Sequence, residues 1–212
     1  MNHQILLKLK DLYNNNINIT NYLRNELNQA ANNSDIIEIA YDLQSGTYIK
    51  NAEQNSEKLI EIQNEYYNLI QPHISEGDSI LDIGTGELTT LTGLVNLIEL
   101  NNIEIYAFDI SWSRIYKGLE YYNSKVKKNY NLNAFVCDIR QIALPTKSID
   151  ITISSHALEP NGGNLKMLLK EIFRVSRKCI LFEPSYEINS KEGKERMDKL
   201  FRAQAASELE CF

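Results

Sequence analysis

Ile80-Leu81-Asp82-Ile83-Gly84-Thr85-Gly86-Glu87 sets a short apolar run directly against a glycine turn, and the periodicity changes beyond it. Leu91, Leu94, Val95 and Ile98 step at i, i+3, i+4 and i+7, the spacing of an amphipathic helix. The segment predicts a strand, a tight turn and a helix. Glycines at 84 and 86 permit the turn and leave backbone N–H groups open to a ligand, with no Cβ in the way.

Outward from this unit the same grammar repeats. Strand-like runs fall at 79–83, 103–108, 133–137, 149–154 and 178–182. Between them lie helical stripes at Ile115, Leu119 and Tyr122 and at Leu165, Leu168, Leu169 and Ile172. Short apolar strands alternating with amphipathic helices predict an α/β fold over residues 74–212: a Rossmann-like three-layer α/β/α sandwich with a mainly parallel sheet. Right-handed crossovers then bring every strand's C-terminal end to one edge, where ligands of such sheets bind. Residues 1–73 read as a polar helical extension that caps this body. Thr20 is a candidate cap for a helix carrying Tyr22, Leu23 and Leu27, and Ser34-Asp35 for one carrying Ile36, Ile37 and Ile39. A third helix is expected between 56 and 74, and 14–18 is a polar break.

Four acidic or glycine-rich positions end strands on the predicted edge. They are Asp82 with its glycine turn, Asp109 at 23 residues beyond Gly86, Asp138, and the turn Ser154-Ser155-His156-Ala157-Leu158-Glu159-Pro160. The Gly86–Asp109 spacing is the one at which an acid grips ribose hydroxyls. A dinucleotide-binding turn wants a small residue three positions beyond its second glycine so that helix and strand pack around a pyrophosphate. Here that residue is Thr89, and Glu87 sets a negative charge near the expected pyrophosphate. S-adenosylmethionine has no phosphate, and its ammonium and sulfonium suit an acid such as Asp82. This favours S-adenosylmethionine over NAD or FAD, with an NAD(P)-linked oxidoreductase kept as an alternative.

Bulk properties narrow the partners. The 212 residues carry a net charge of -6, which argues against a broad nucleic-acid surface and leaves a small molecule as the expected partner. Three cysteines, Cys137, Cys179 and Cys211, have no paired spacing, so neither a disulfide framework nor a metal site is expected. The absence of a long apolar run or a cleavage pattern predicts a cytoplasmic protein with no membrane partner.

These residues resemble the class I S-adenosylmethionine-dependent methyltransferases, in the branch that includes small-molecule and quinone-biosynthesis enzymes, over about residues 74–187. The resemblance implies that Gly84, Thr85 and Gly86 lie against the cofactor, with Asp82 near its amino-acid end. It implies further that Asp109 holds both ribose hydroxyls and that Asp138 accepts from the adenine amino group. Ile110 and Ile139 would pack on the adenine faces, and 154–160, with Ser155, would face the methyl group. The stretch from Tyr41 to Tyr48 resembles a segment that folds over the cofactor, although both tyrosines also read as half-buried helix residues. The fourth-strand turn is not Asn-Pro-Pro-aromatic, which disfavours methylation of base or amide nitrogens.

The expected reaction is O- or C-methylation of a small molecule. His156 is the candidate general base, because an imidazole titrates in the useful range. Its rival reading is a hydrogen-bonded structural histidine. Only 29 residues follow Glu183, and 191–209 reads as one charged helix, so the C-terminal strands are expected to be shortened. An open edge beyond the fifth strand would make a homodimer a candidate assembly. It would also keep a non-catalytic, cofactor-binding role as an alternative.

Overall fold

The computed structural model describes residues 3–161, 165–182 and 191. Five helices come first: α1 (His3–Asn14), α2 (Ile19–Glu26), α3 (Ser34–Leu43), α4 (Thr47–Gln54) and α5 (Ser56–Ile70). The alternating part follows as β1 (Ser79–Ile83), α6 (Thr89–Leu97), β2 (Glu104–Asp109), α7 (Trp112–Lys125), β3 (Asn131–Val136), β4 (Ile149–Ser155), α8 (Leu165–Val175) and β5 (Ser176–Phe182). The strands form one all-parallel sheet in the order β3-β2-β1-β4-β5. Strand order reverses at β1, so the switch point opens between β1 and β4, above Asp82 and Ser154.

Alternation along the strands sorts the core into two faces. Ile80, Ile105, Ala107, Ile151 and Ile153 pack with Leu91, Leu94 and Val95 of α6, Tyr122 of α7 and Ile70 of α5. Leu81, Ile83 and Phe108 face the other way, against Leu165, Leu168, Leu169 and Ile172 of α8. Every residue of β1 is buried, as a central parallel strand covered on both faces requires. Leu9, Ile19, Leu23, Ile36 and Ala40 form a separate small core within α1–α3. Tyr66, Tyr67 and Ile70 of α5 belong instead to the core against the sheet.

Two expected caps are replaced by their neighbours. Asn18 caps α2 by accepting from the backbone N–H of Asn21, while Thr20 donates its hydroxyl to Asn18. Asn33 caps α3 by accepting from Ile36 N–H, which leaves the Ser34 hydroxyl for Asp138. Asparagine serves at this position as well as serine does. Among the described residues β5 pairs with β4 alone, and no helix is long and apolar enough to cross a membrane. The expected helix from 192 to 209, the segment 183–187 and Cys211 lie outside the described residues.

Candidate active site

The turn after β1 is shaped by two left-handed glycines. Gly84 has φ 63° and Gly86 φ 60°, a region that side chains disfavour. Gly84 also allows the turns after β1 and β4 to meet: a Cβ there would lie 2.4 Å from the Cβ of Ala157. Thr85 N–H donates to the Phe108 carbonyl at 2.9 Å, tying the turn to β2.

Two carboxylates are buried beside this turn. Asp82 accepts from the Thr85 hydroxyl at 2.6 Å. Burial pushes its pKa up to about 7; the Thr85 hydrogen bond opposes the rise and the nearby Asp109 charge adds to it. Asp109 accepts from Gly86 N–H at 3.0 Å and from Ser111 N–H at 2.9 Å. Burial raises its pKa too, against the pull of the Arg114 charge and those two N–H groups.

The N-terminal segment is fastened over the turn by side chains of the sheet body. The buried Glu87 carboxylate takes Gly46 N–H at 2.7 Å and Ile49 N–H at 2.8 Å, at the start of α4. A carboxylate at a helix N-terminus satisfies donors that the helix itself cannot. Glu87 therefore points away from the cofactor turn, which overturns its reading as a charge near a pyrophosphate. Asp42 accepts from Ser111 Oγ at 2.5 Å and from Ser113 N–H at 3.2 Å, and Lys117 donates to the Ser45 carbonyl at 2.7 Å. So held, Tyr41 and Tyr48 set their rings 4.4 and 4.7 Å from the guanidinium carbon of Arg114.

Farther along the edge, Asp138 is already engaged. One carboxylate oxygen accepts from Arg140 N–H at 2.9 Å; the other takes the Ser34 hydroxyl and lies 3.4 Å from Arg140 Nη1. An adenine amino group would have to share this carboxylate with α3. Arg24 donates to Asn32, which donates to the Pro160 carbonyl at 2.8 Å, so the N-terminal helices are also pinned to the turn after β4.

At that turn, His156 has φ 56°, and its Nδ1 lies 2.5 Å from Glu159 Oε1. The Glu159 side chain is 1% exposed, whereas that of His156 is 37% exposed and reaches the cavity. The Tyr66 hydroxyl is 2.9 Å from Ser155 Oγ, and its ring stacks on Phe182 at 4.0 Å between centroids.

One cavity of about 390 Å³ joins these features. Tyr41, Tyr48, Asp82, Gly84, Thr85, Gly86, Asp109, Ile110, Asp138, Ile139, Ser155 and His156, all singled out from sequence, line it together. Its volume lies within the roughly 300–1,000 Å³ of small-molecule sites. Tyr66, Arg114 and Arg140 also line it, and sequence reasoning missed them as site residues.

A family model described as a methyltransferase domain matches residues 74–207. No curated protein matches the chain. Among solved structures, magnesium protoporphyrin IX methyltransferase from Synechocystis PCC 6803, with bound S-adenosylhomocysteine, superposes with a TM-score of 0.54 at 13% identity, covering 70% of this chain and 71% of that one. A putative S-adenosylmethionine-dependent methyltransferase from Methanococcus maripaludis gives 0.53 at 16%, covering 72% and 80%. A methyltransferase from Aquifex aeolicus gives 0.48 at 21%, covering 61% of this chain and 66% of that one, just under two thirds of its length.

Proposed function

This chain belongs to the methyltransferase-domain family of class I S-adenosylmethionine-dependent enzymes, and we propose from that premise that it methylates a hydroxyl oxygen or a carbon of a small molecule. S-adenosylmethionine is its cofactor, and the cavity fits that molecule chemically. A glycine turn that a Cβ would close, two buried carboxylates and a buried guanidinium match a ligand bearing ribose hydroxyls, cations and one carboxylate. In this reading Asp109 takes the ribose hydroxyls, and Ile110, Ile139 and Asp138 line the adenine end. Gly84, Thr85, Gly86 and Asp82 receive the amino-acid end, with Tyr41 and Tyr48 above it. Residues 1–73 act as the cap and 74–212 as the catalytic body.

The observation that carries the catalytic reading is the His156–Glu159 pair at the cavity wall. The bound cofactor supplies an activated methyl group for in-line displacement, so the protein's task is alignment and proton removal. With Nδ1–H donated to the buried carboxylate, the basic lone pair of the neutral His156 ring is on Nε2. It would take the proton from the acceptor's O–H or C–H as that atom bonds to the methyl carbon and the methyl–sulfur bond breaks, leaving S-adenosylhomocysteine. Glu159 fixes the tautomer and stabilises the imidazolium that results. Ser155 and Tyr66, bonded to each other beside the histidine, are placed to orient the acceptor.

Incubating the protein and labelled S-adenosylmethionine with a small-molecule extract tests this. The expected result is acceptor-dependent label transfer with formation of S-adenosylhomocysteine. Tight cofactor binding without turnover in any fraction would instead favour the non-catalytic role.

A further inference from the structure

Arg114 lies on the inner face of α7 and is 4% exposed. Its guanidinium lies against the rings of Tyr41 and Tyr48, and among the described residues neither Nε nor Nη2 has a hydrogen-bond partner. Nη1 lies 3.3 Å from the place a Cβ on Gly86 would occupy, so the group sits directly beside the glycine turn. Leaving two charged donors unsatisfied in a buried position is costly. The charge of the nearby Asp109 attracts the guanidinium, but its oxygens accept from the N–H groups of Gly86 and Ser111 and from neither of these two nitrogens.

Nε and Nη2 form one edge of the guanidinium, the fork that takes a carboxylate through two parallel N–H···O bonds. Aromatic rings at the guanidinium favour the cation. We propose that Arg114 is the carboxylate receptor of the cofactor cleft, with its Nε–Nη2 edge binding the carboxylate of the cofactor's amino-acid end. This rests on S-adenosylmethionine being the cofactor. Asp82, Asp109 and Asp138 already place three acids in the cavity, so a further carboxylate is admitted only where a cation awaits it. Arg140, the other guanidinium lining the cavity, is already bonded to Ser34, Asp138 and Asn161. A carboxylate on the acceptor is the rival source, but the position of Arg114 beside Gly86 of the glycine turn favours the cofactor.

The test measures binding of S-adenosylmethionine and of its decarboxylated analogue by calorimetry, without acceptor, to the wild type, Arg114→Met and Arg114→Lys. The wild type is expected to prefer the carboxylated ligand by roughly 10- to 100-fold. In Arg114→Met the preference should collapse to within about threefold, with most affinity for the decarboxylated ligand retained. Arg114→Lys keeps the charge without the fork and should fall between them. Equal wild-type affinity for the two ligands overturns the proposal, whether or not the variants fold. So does an unchanged preference in folded Arg114→Met, or an equal loss of both ligands. If the preference survives while the KM of a carboxylate-bearing acceptor rises, Arg114 serves the acceptor and the assignment is wrong. Failure of the wild type to bind either ligand would refute the cofactor assignment instead.

Discussion

The two ends of the cavity are built by different means. At the β1–β2 end the site is backbone and buried charge: left-handed glycines, N–H groups turned onto Asp109, and Asp82 closed beneath Thr85. At the β4 end it is made of side chains that hold one another, His156 on Glu159 and Tyr66 on Ser155. A cradle of the first kind reads a ligand's shape and charge before any chemistry. A pair of the second kind prepares a proton transfer. The contrast predicts that binding and turnover are separable by mutation.

The largest expected effect breaks one end alone. His156→Ala should lower turnover by about 10²–10⁴-fold, the usual worth of a positioned base, while cofactor Kd changes less than about twofold. Glu159→Gln keeps the histidine but weakens its partner, so a smaller loss is expected, with the pH–rate profile displaced. Parallel calorimetry and initial rates check both. A cofactor Kd that rises as far as turnover falls would mean the ends act as one unit. Next in size is Gly84→Ala, which strains a left-handed position and drives a methyl group into Ala157. Cofactor affinity should drop by about tenfold or more, with a stability loss of about 1–3 kcal/mol seen by denaturant unfolding. Adding Ala157→Gly should restore part of the stability, because it removes the contact but leaves the φ strain.

The sheet was legible because its strands are short apolar runs flanked by helices with clear stripes. β1 spans residues 79–83 as read, and the edge residues follow from parallel topology alone. What escaped depends on how closely elements approach. α7 shows an apolar stripe at Ile115, Leu119 and Tyr122, yet its buried face also includes Arg114 and Gly118. Gly118 lets the helix close on the glycine turn, since a Cβ there would meet Leu88 Cδ1 at 2.3 Å and Glu87 Cα at 3.1 Å. That approach carries Arg114 under Gly86. An arginine four residues before a glycine on an inward face was the available signal. Glu87 misled for a related reason. Adjacency to Gly86 suggested a place beside the ligand, but positive φ at both Gly86 and Leu88 turns the chain so that its carboxylate meets α4. The caps show the opposite limit: Asn18 and Asn33 were present in the sequence, and choosing between neighbouring polar residues needs tertiary partners such as Asp138.

The smallest expected effect tests whether the binding end carries a real electrostatic cost. With its pKa held near 7 by burial, Asp82 keeps a proton in the folded state that the unfolded chain releases around its ordinary value of 3.8. Across that window the folded state binds more protons, so this group's contribution makes stability fall as pH rises from about 4 to 7 and stay level above it. A cationic ligand end prefers the ionised carboxylate, so cofactor affinity should move the other way, rising toward pH 7 and then flattening. Asp82→Asn should remove both slopes. At pH 8 the ligand-free variant should melt a few degrees above the wild type yet bind the cofactor about tenfold more weakly, while near pH 5 the two should bind alike. Calorimetry and thermal melts at the two pH values decide it. If the variant is less stable at pH 8, the Thr85 hydrogen bond matters more to the fold than the charge, and the acid end is structural rather than poised for a cation.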